Sequence, residues 1–165
     1  MSHNRAKNTG PELSLRHSLW RRGFSYLGND KCLPGRPDIV LPKYRTVIFV
    51  HGCFWHGHKD CKYYTVPKTN TEFWKAKVAR NQERDQEVWR KLEAKGWSVI
   101  IVWECELKKA KLEETIERVV GAIVRNGEAY RAVQEERKIA REEYRRERRE
   151  RKEREQSLLK EVKFL

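Results

Sequence analysis

Fifteen residues, Val47 to Cys61, hold three of the chain's five histidines and two of its four cysteines. Cys53, His58 and Cys61 stand at Cys-x4-His-x2-Cys spacing, which lets soft and borderline donors converge on one ion. Zinc takes four such ligands in a tetrahedron. The expected fourth is Cys105, just after the apolar run Val99–Trp103, provided that run lies beside Val47–Val50. Cys32 reads as an ordinary reduced thiol. A second chemistry starts at Leu33-Pro34-Gly35-Arg36-Pro37-Asp38, where two prolines and a glycine fix the approach to an acid at the head of a short strand. An acid there, beside a polar group at the end of a neighbouring strand, can hold magnesium against a phosphodiester. A plain turn aspartate is the alternative.

The elements that position these residues follow from periodicity and punctuation. Val47–Val50 is apolar without alternation and stops at Gly52, the pattern of a buried strand. Pro42–Arg45 turns the chain into it from the strand that Asp38 heads. A first helix is expected from Thr9, with Thr9 and Glu12 as a capping box, Leu13, Leu15, Leu19 and Trp20 as its apolar face, and Gly23 as its stop. Thr71–Lys95 reads as a long helix opened by a threonine and ended before Gly96. Its inward stripe runs Trp74, Val78, Asn81, Asp85, Val88 or Trp89, and Leu92. A carboxylate in that stripe needs a partner, because burying it unpaired is costly. A histidine of the site would serve Asp85; otherwise Asp85 marks the wet edge of the stripe. Ser98–Trp103 is expected as a third buried strand, and Leu112–Val124 as an amphipathic helix facing inward with Ile116, Val119, Val120 and Ile123. The order helix, strand, strand, helix, strand, helix gives an α/β fold with a small mixed sheet.

The charge narrows the partners. Thirty-seven Lys and Arg against twenty-four Asp and Glu leave a net +13 and a pI near 9.8, which draws the chain toward a polyanion such as nucleic acid. No apolar run approaches eighteen residues and no signal peptide is visible, so a cytoplasmic, nucleoid-associated protein with no membrane partner is expected. Cysteines in that compartment are metal ligands or free thiols rather than disulfides. Beyond Gly127 the composition shifts, and Glu135–Glu155 is almost wholly Glu, Arg and Lys. Such a segment cannot bury a core, and it reads as a solvated helix or a partly disordered arm able to touch phosphates. Leu158, Leu159, Val162, Phe164 and Leu165 could dock its end. The expected division is a domain over 1–125 and a charged extension over 126–165.

Several motifs recur together: Asn8-Thr9-x-Pro11-Glu12-Leu13, Leu33 to Asp38, Val47 to His56, Glu72-Phe73-Trp74, Asn81 to Asp85, and Val102-Trp103-Glu104-Cys105. In order and spacing they resemble the very-short-patch repair (Vsr) endonucleases, over about residues 1–125. The resemblance implies a restriction-endonuclease-like fold, the PD-(D/E)xK superfamily, and a magnesium-dependent nick in duplex DNA. That nick falls 5′ to the thymine of a T:G mismatch, the product of 5-methylcytosine deamination. In the wider superfamily a Glu-x-Lys signature follows the Pro-Asp; this chain has Phe49-Val50-His51 there, and in the resembling family histidines take over.

Carried to this chain, the resemblance makes Asp38 a magnesium ligand, assisted by the backbone carbonyl of Val50. His51 activates the attacking water, an imidazole being suited to proton transfer near neutral pH. His56 acts on the leaving-group side, Asp85 orients one of the two histidines, and Glu12 is an acid at the edge of the site. Zinc is structural in the family; His58-Lys59-Asp60-Cys61 is one residue longer than its commonest form, which leaves His56 as the reserve ligand in place of His58. Phe54 and Trp55 resemble wedges that enter the duplex beside the mismatch, where a wobble pair is easier to unstack; the alternative for Phe54 is packing under the zinc loop. An N-terminal contact with DNA would rest on Met1. A monomer is expected, with MutL-type mismatch-repair factors as further partners. Two rival readings are a restriction-type or defence nuclease with no mismatch requirement, and a zinc-stabilised DNA-binding module that does not cut.

Overall fold

The computed structural model describes the backbone of residues 8–162 and the side chains of 8–156. Helix α1 (Gly10–Arg21) precedes a short strand β1 (Leu27–Gly28), then β2 (Ile39–Leu41), β3 (Thr46–His51), helix α2 (Thr71–Ala94), β4 (Ser98–Trp103) and helix α3 (Leu112–Val162). The sheet order is β1-β2-β3-β4. β1, β2 and β3 are antiparallel neighbours, and β4 joins β3 in parallel, with Thr46 opposite Ser98 and His51 opposite Trp103. The sheet is therefore small and mixed, and the Val99–Trp103 run does lie beside Val47–Val50.

Both faces of this sheet are covered, which is why β2 and most of β3 are apolar without alternation. Ile39, Leu41 and Ile48 pack with Leu15 and Leu19 of α1 and with Ile116, Val119 and Ile123 of α3. Val40, Val47 and Phe49 face the other way, onto Leu92 and Trp97. The chain divides into one compact unit that runs to Gly127 and a second that begins at Glu128.

Several expectations change. The first is the face of α1: Leu13 is 50% and Trp20 67% exposed, and the buried residues are Glu12, Leu15, Arg16 and Leu19. That set has helical i, i+3, i+4, i+7 spacing, but two of its members carry charge, so apolar periodicity finds Leu15 and Leu19 and adds Leu13 and Trp20 where Glu12 and Arg16 belong. β4 is only partly buried, because among the described residues no strand pairs with its outer edge. Thr71 does not cap α2; Asn70 stands at the cap in the left-handed region and the Thr71 hydroxyl donates to the carbonyls of Pro67 and Lys68. The helix expected over Leu112–Val124 continues without a break to Val162. β1 is two exposed residues, too short to carry a pattern.

Candidate active site

Asp38 precedes β2, and its position is set from three sides. Its Oδ2 accepts the Val50 N–H at 2.7 Å, and its main-chain oxygen accepts from Nη2 of Arg16 at 2.7 Å and from the Asn29 N–H at 3.4 Å. Burial, reinforced by the neighbouring Glu12 and opposed by the Val50 hydrogen bond, pushes the Asp38 carboxyl up to about 6. Glu12 keeps its capping role in altered form: Oε1 accepts the Thr9 hydroxyl at 2.9 Å and Oε2 the Asn8 N–H at 2.9 Å. Beneath the two acids lies Arg16, which also donates to Asn8 Oδ1 at 2.7 Å and reaches Glu12 at 3.7 Å. Its Nε is buried without a partner among the described residues. Arg16 was not selected from the sequence; its signal is the i+4 spacing from Glu12.

His51 ends β3 at 4% exposure. Its ring stacks on His56 at 3.8 Å and lies within 5.9 Å of Trp89 and edge-on to Trp103 at 5.4 Å. Burial first, and then the His56 imidazole, lower its pKa to about 4. His51 is thus a neutral base at physiological pH. Asp85 meets His56, with Oδ2 2.5 Å from Nδ1; Arg84 comes only to 4.0 Å from its other oxygen. The inward carboxylate of α2 has found its histidine, and engaging Nδ1 leaves Nε2 as the free ring nitrogen. α2 also grips the loop that carries His56: Asn81 donates to the Trp55 carbonyl at 2.8 Å and Gln82 to the His56 carbonyl at 3.1 Å. Gly57 has φ +64, and a Cβ there would stand 2.6 Å from Gln82 and 2.7 Å from Val78, so only glycine lets loop and helix approach this closely.

Asp38, Glu12, Val50, His51, His56 and Asp85 line one open cleft of about 510 Å³, together with Arg36 and Arg84. Asp38 and His51 therefore face the same space. The cleft's oxygen donors suit a hard divalent cation. Val50 contributes in a further way. The His51 carbonyl accepts from Glu104 on the β4 side, so by strand alternation the Val50 N–H and carbonyl face the Asp38 side, where β2 starts only at Ile39.

A second cluster lies on the far side of Trp103, whose ring stacks flat on His58 at 4.1 Å. Donor atoms of Cys53, His58, Cys61 and Cys105 all fall within 4.8 Å of one another. His58 Nδ1 is 3.4 Å from the sulfurs of both Cys53 and Cys105, against about 3.5 Å for the S to N edge of a zinc tetrahedron. His56 belongs to the other cluster, so His58 is the imidazole among the thiols. Burial pushes the Cys53 and Cys105 thiols up, the cost a soft cation would remove by binding thiolate. The Cys53 N–H is fixed by Glu104 Oε1 at 2.8 Å. Cys32 stands exposed and apart.

Phe54 packs edge-on against Trp55 and against Trp74 of α2, at 5.1 and 5.4 Å, and Phe73 extends the patch. Trp55 is 39% and Phe73 54% exposed. Phe54 and Trp55 thus form an aromatic ledge with α2, to which sequence reasoning assigned only the first two members. Met1 lies outside the described residues.

A family model described as "DNA mismatch endonuclease Vsr" matches residues 1–63. The type II nicking enzyme V.NmeAIP of Neisseria meningitidis is 50% identical over 119 residues, covering 72% of this chain and 84% of that protein. The type II nicking enzyme V.XorIIP of Xanthomonas oryzae is 47% identical, covering 65% and 78%. The DNA mismatch endonuclease Vsr of Escherichia coli is 47% identical over 102 residues, covering 62% and 65%. Among solved structures, the catalytic domain of the homing endonuclease I-Bth0305I aligns with 72% of this chain and 98% of its own, with TM-score 0.49 and 17% identity. On the identity and coverage of the Neisseria relative, joined to the match of the family model, this chain belongs to the Vsr family of DNA mismatch endonucleases.

Proposed function

We propose that this protein nicks one strand of duplex DNA on the 5′ side of the thymine in a T:G mismatch, in a magnesium-dependent reaction on a restriction-endonuclease-like core. The observation that carries the reading is that Asp38 and a neutral, buried His51 line one cleft. Magnesium would be held by Asp38 and the Val50 carbonyl, with Glu12 nearby; when bound, such a cation neutralises phosphate charge and acidifies water. His51 takes a proton from the attacking water, since an imidazole held neutral by burial is free to accept one. Asp85 fixes the tautomer and orientation of His56 and stabilises its protonated form. That equips His56 Nε2 to deliver a proton to the leaving 3′ oxygen. Arg16, holding the Asp38 carbonyl and Glu12, keeps two carboxyl groups side by side.

A structural zinc in Cys53, His58, Cys61 and Cys105 fits the reading, because four protein donors leave no open position. It would tie the loop bearing His56 to the end of β4. The aromatic ledge supports mismatch recognition: a wedge separates a base step at a cost on the order of a few kcal/mol, less at a wobble pair. The protein is expected to act as a monomer on the duplex, with mismatch-repair factors of the MutL type as partners.

The test is incubation with matched and T:G duplexes, with and without magnesium. One nick, on the mismatched duplex and only with magnesium, is expected. Equal cutting of both duplexes would replace this reading by a nuclease without mismatch requirement, and binding without cutting by a non-catalytic module.

A further inference from the structure

From Glu128 to Glu155, α3 carries eleven Lys and Arg and nine Glu, so its net charge is small. How those charges are placed around the helix is informative. At about 100° per residue, Lys138, Arg141, Arg145, Arg148, Arg149 and Lys152 fall within one sector of roughly 100°. Glu135, Glu142, Glu143, Glu147, Glu150 and Glu153 occupy a separate sector of roughly 140°. All twelve are exposed. The helix has a cationic side and an anionic side.

Ion pairing follows the same division. Off the basic side, Arg146 and Arg154 reach Glu150 at 4.0 and 3.7 Å, and Arg151 reaches Glu155 at 3.8 Å; Arg137, at the border of the basic side, has no carboxylate within 4.0 Å among the described residues. On the basic side Lys138 pairs with Glu135 at 3.7 Å. Arg141, Arg145, Arg148, Arg149 and Lys152 have no carboxylate within 4.0 Å among the described residues. Ordinary helix-supporting i, i+4 pairs would neutralise these positions too; here one row is left uncompensated. The row from Lys138 to Lys152 is about 21 Å long.

We propose that this cationic side of α3 is a binding surface for the phosphate backbone of duplex DNA, additional to the cleft. A linear row of unpaired cations matches a linear polyanion that carries about one charge per 1.7 Å and releases counterions when contacted. The anionic side excludes the opposite orientation. A membrane surface is the wrong partner, because the described residues from Glu128 to Glu155 carry no continuous apolar face: Ile139, 49% exposed, lies on a different side of the helix from Val133 and Tyr144, 42% and 66% exposed. The inference rests on the proposed function only in taking duplex DNA as the polyanion.

The experiment compares two full-length variants with the same change in net charge. One is Arg141→Gln, Arg145→Gln, Lys152→Gln on the cationic side; the other is Arg146→Gln, Arg151→Gln, Arg154→Gln off it. Glutamine keeps helix propensity, and circular dichroism checks that helix content is retained. Affinity for a fully matched 30-base-pair duplex is measured across a salt series. The first variant is expected to bind about tenfold more weakly at moderate salt, with the slope of log K against log salt reduced by about 2 to 3. The second should stay within about twofold. Equal losses in both, or none in either, would overturn the proposal. So would a parent dimer, seen in sedimentation, that the first variant dissolves with duplex affinity unchanged; the two sides would then pair with each other. Nicking of a T:G duplex by the parent is scored separately, so its failure would sink the nuclease reading while leaving the salt comparison intact.

Discussion

The segment that begins at the last residue of β3 supplies two clusters in turn. His51 and His56 go to one, Cys53 and His58 to the other, each pair five residues apart and the second displaced by two. The difference lies in what each pair meets from elsewhere in the chain. Asp85 of α2 joins the first, which faces an open cleft. Cys61 and Cys105 close the second into a four-donor cage. Trp103 stands between them, edge-on to His51 and flat on His58. Local spacing therefore supplies donors, and the distant partner decides whether they face an open cleft or complete a closed cage.

The sharpest way to break this comparison is to damage each cluster separately. His51→Ala should lower kcat by about a thousandfold while zinc content and Tm stay near those of the parent. Cys105→Ser should lose tightly held zinc and lower Tm by roughly 10 °C or more, since metal binding free energy is folding free energy. Metal analysis after passage over a chelator, read beside melting and single-turnover nicking, separates the two. Loss of zinc in His51→Ala, or a normal melt for zinc-free Cys105→Ser, would merge the clusters into one site and undo the distinction.

Asp38 belongs to the first cluster's cleft and should show the cost of function directly. Its carboxyl titrates near 6 in the folded chain against an ordinary 3.8, so the fold favours the protonated form. The penalty for ionisation is absent below about pH 4, grows between 4 and 6, and is complete above 6. Asp38→Asn keeps an acceptor for the Val50 N–H and removes that penalty. It should abolish nicking yet stabilise the metal-free protein at pH 7.5 by on the order of 2 kcal/mol. Melting the parent and variant from pH 4 to 8 is decisive, because an advantage that did not grow with pH would mean that Asp38 is not strained.

Asp85→Asn sharpens the comparison from the α2 side. The amide can still approach His56 Nδ1, but it cannot stabilise an imidazolium. A kcat loss of about 10 to 100-fold with little change in KM or zinc content is expected. A rise in KM alone would recast Asp85 as a packing residue.

Much of this arrangement can be read from residue order, and the exceptions have a shared cause. The stripe on α2 was legible because Val78, Asp85 and Leu92 repeat at sevens, and only one element could cover that face of the sheet. The thiol cluster was legible because three thiols and an imidazole at metal-ligand spacing have few other uses. Only half of the α1 face, Leu15 and Leu19, is legible, because Glu12 and Arg16 are buried charges held against each other and the Asp38 backbone, which no hydropathy pattern reveals. Phe73 and Trp74 belong to a motif visible in the sequence, yet their place in the ledge depends on α2 crossing the Phe54 loop, a tertiary fact. The segregated charge of α3 is periodic and was present in the sequence, but a segment read for composition alone hides its phase.

The smallest expected effect is a pH limb, and it tests which member of the first cluster limits activity in acid. His51 is held near 4 and Asp38 near 6, so at low magnesium kcat/KM should fall about tenfold per pH unit below 6 as Asp38 takes up a proton. Magnesium competes for the same carboxylate, so raising its concentration should move the limb toward lower pH, as far as the His51 value near 4. A limb that stays in place at every magnesium concentration would transfer the titration to a group that does not bind the metal. Asp38 would then not set the acid limit of activity.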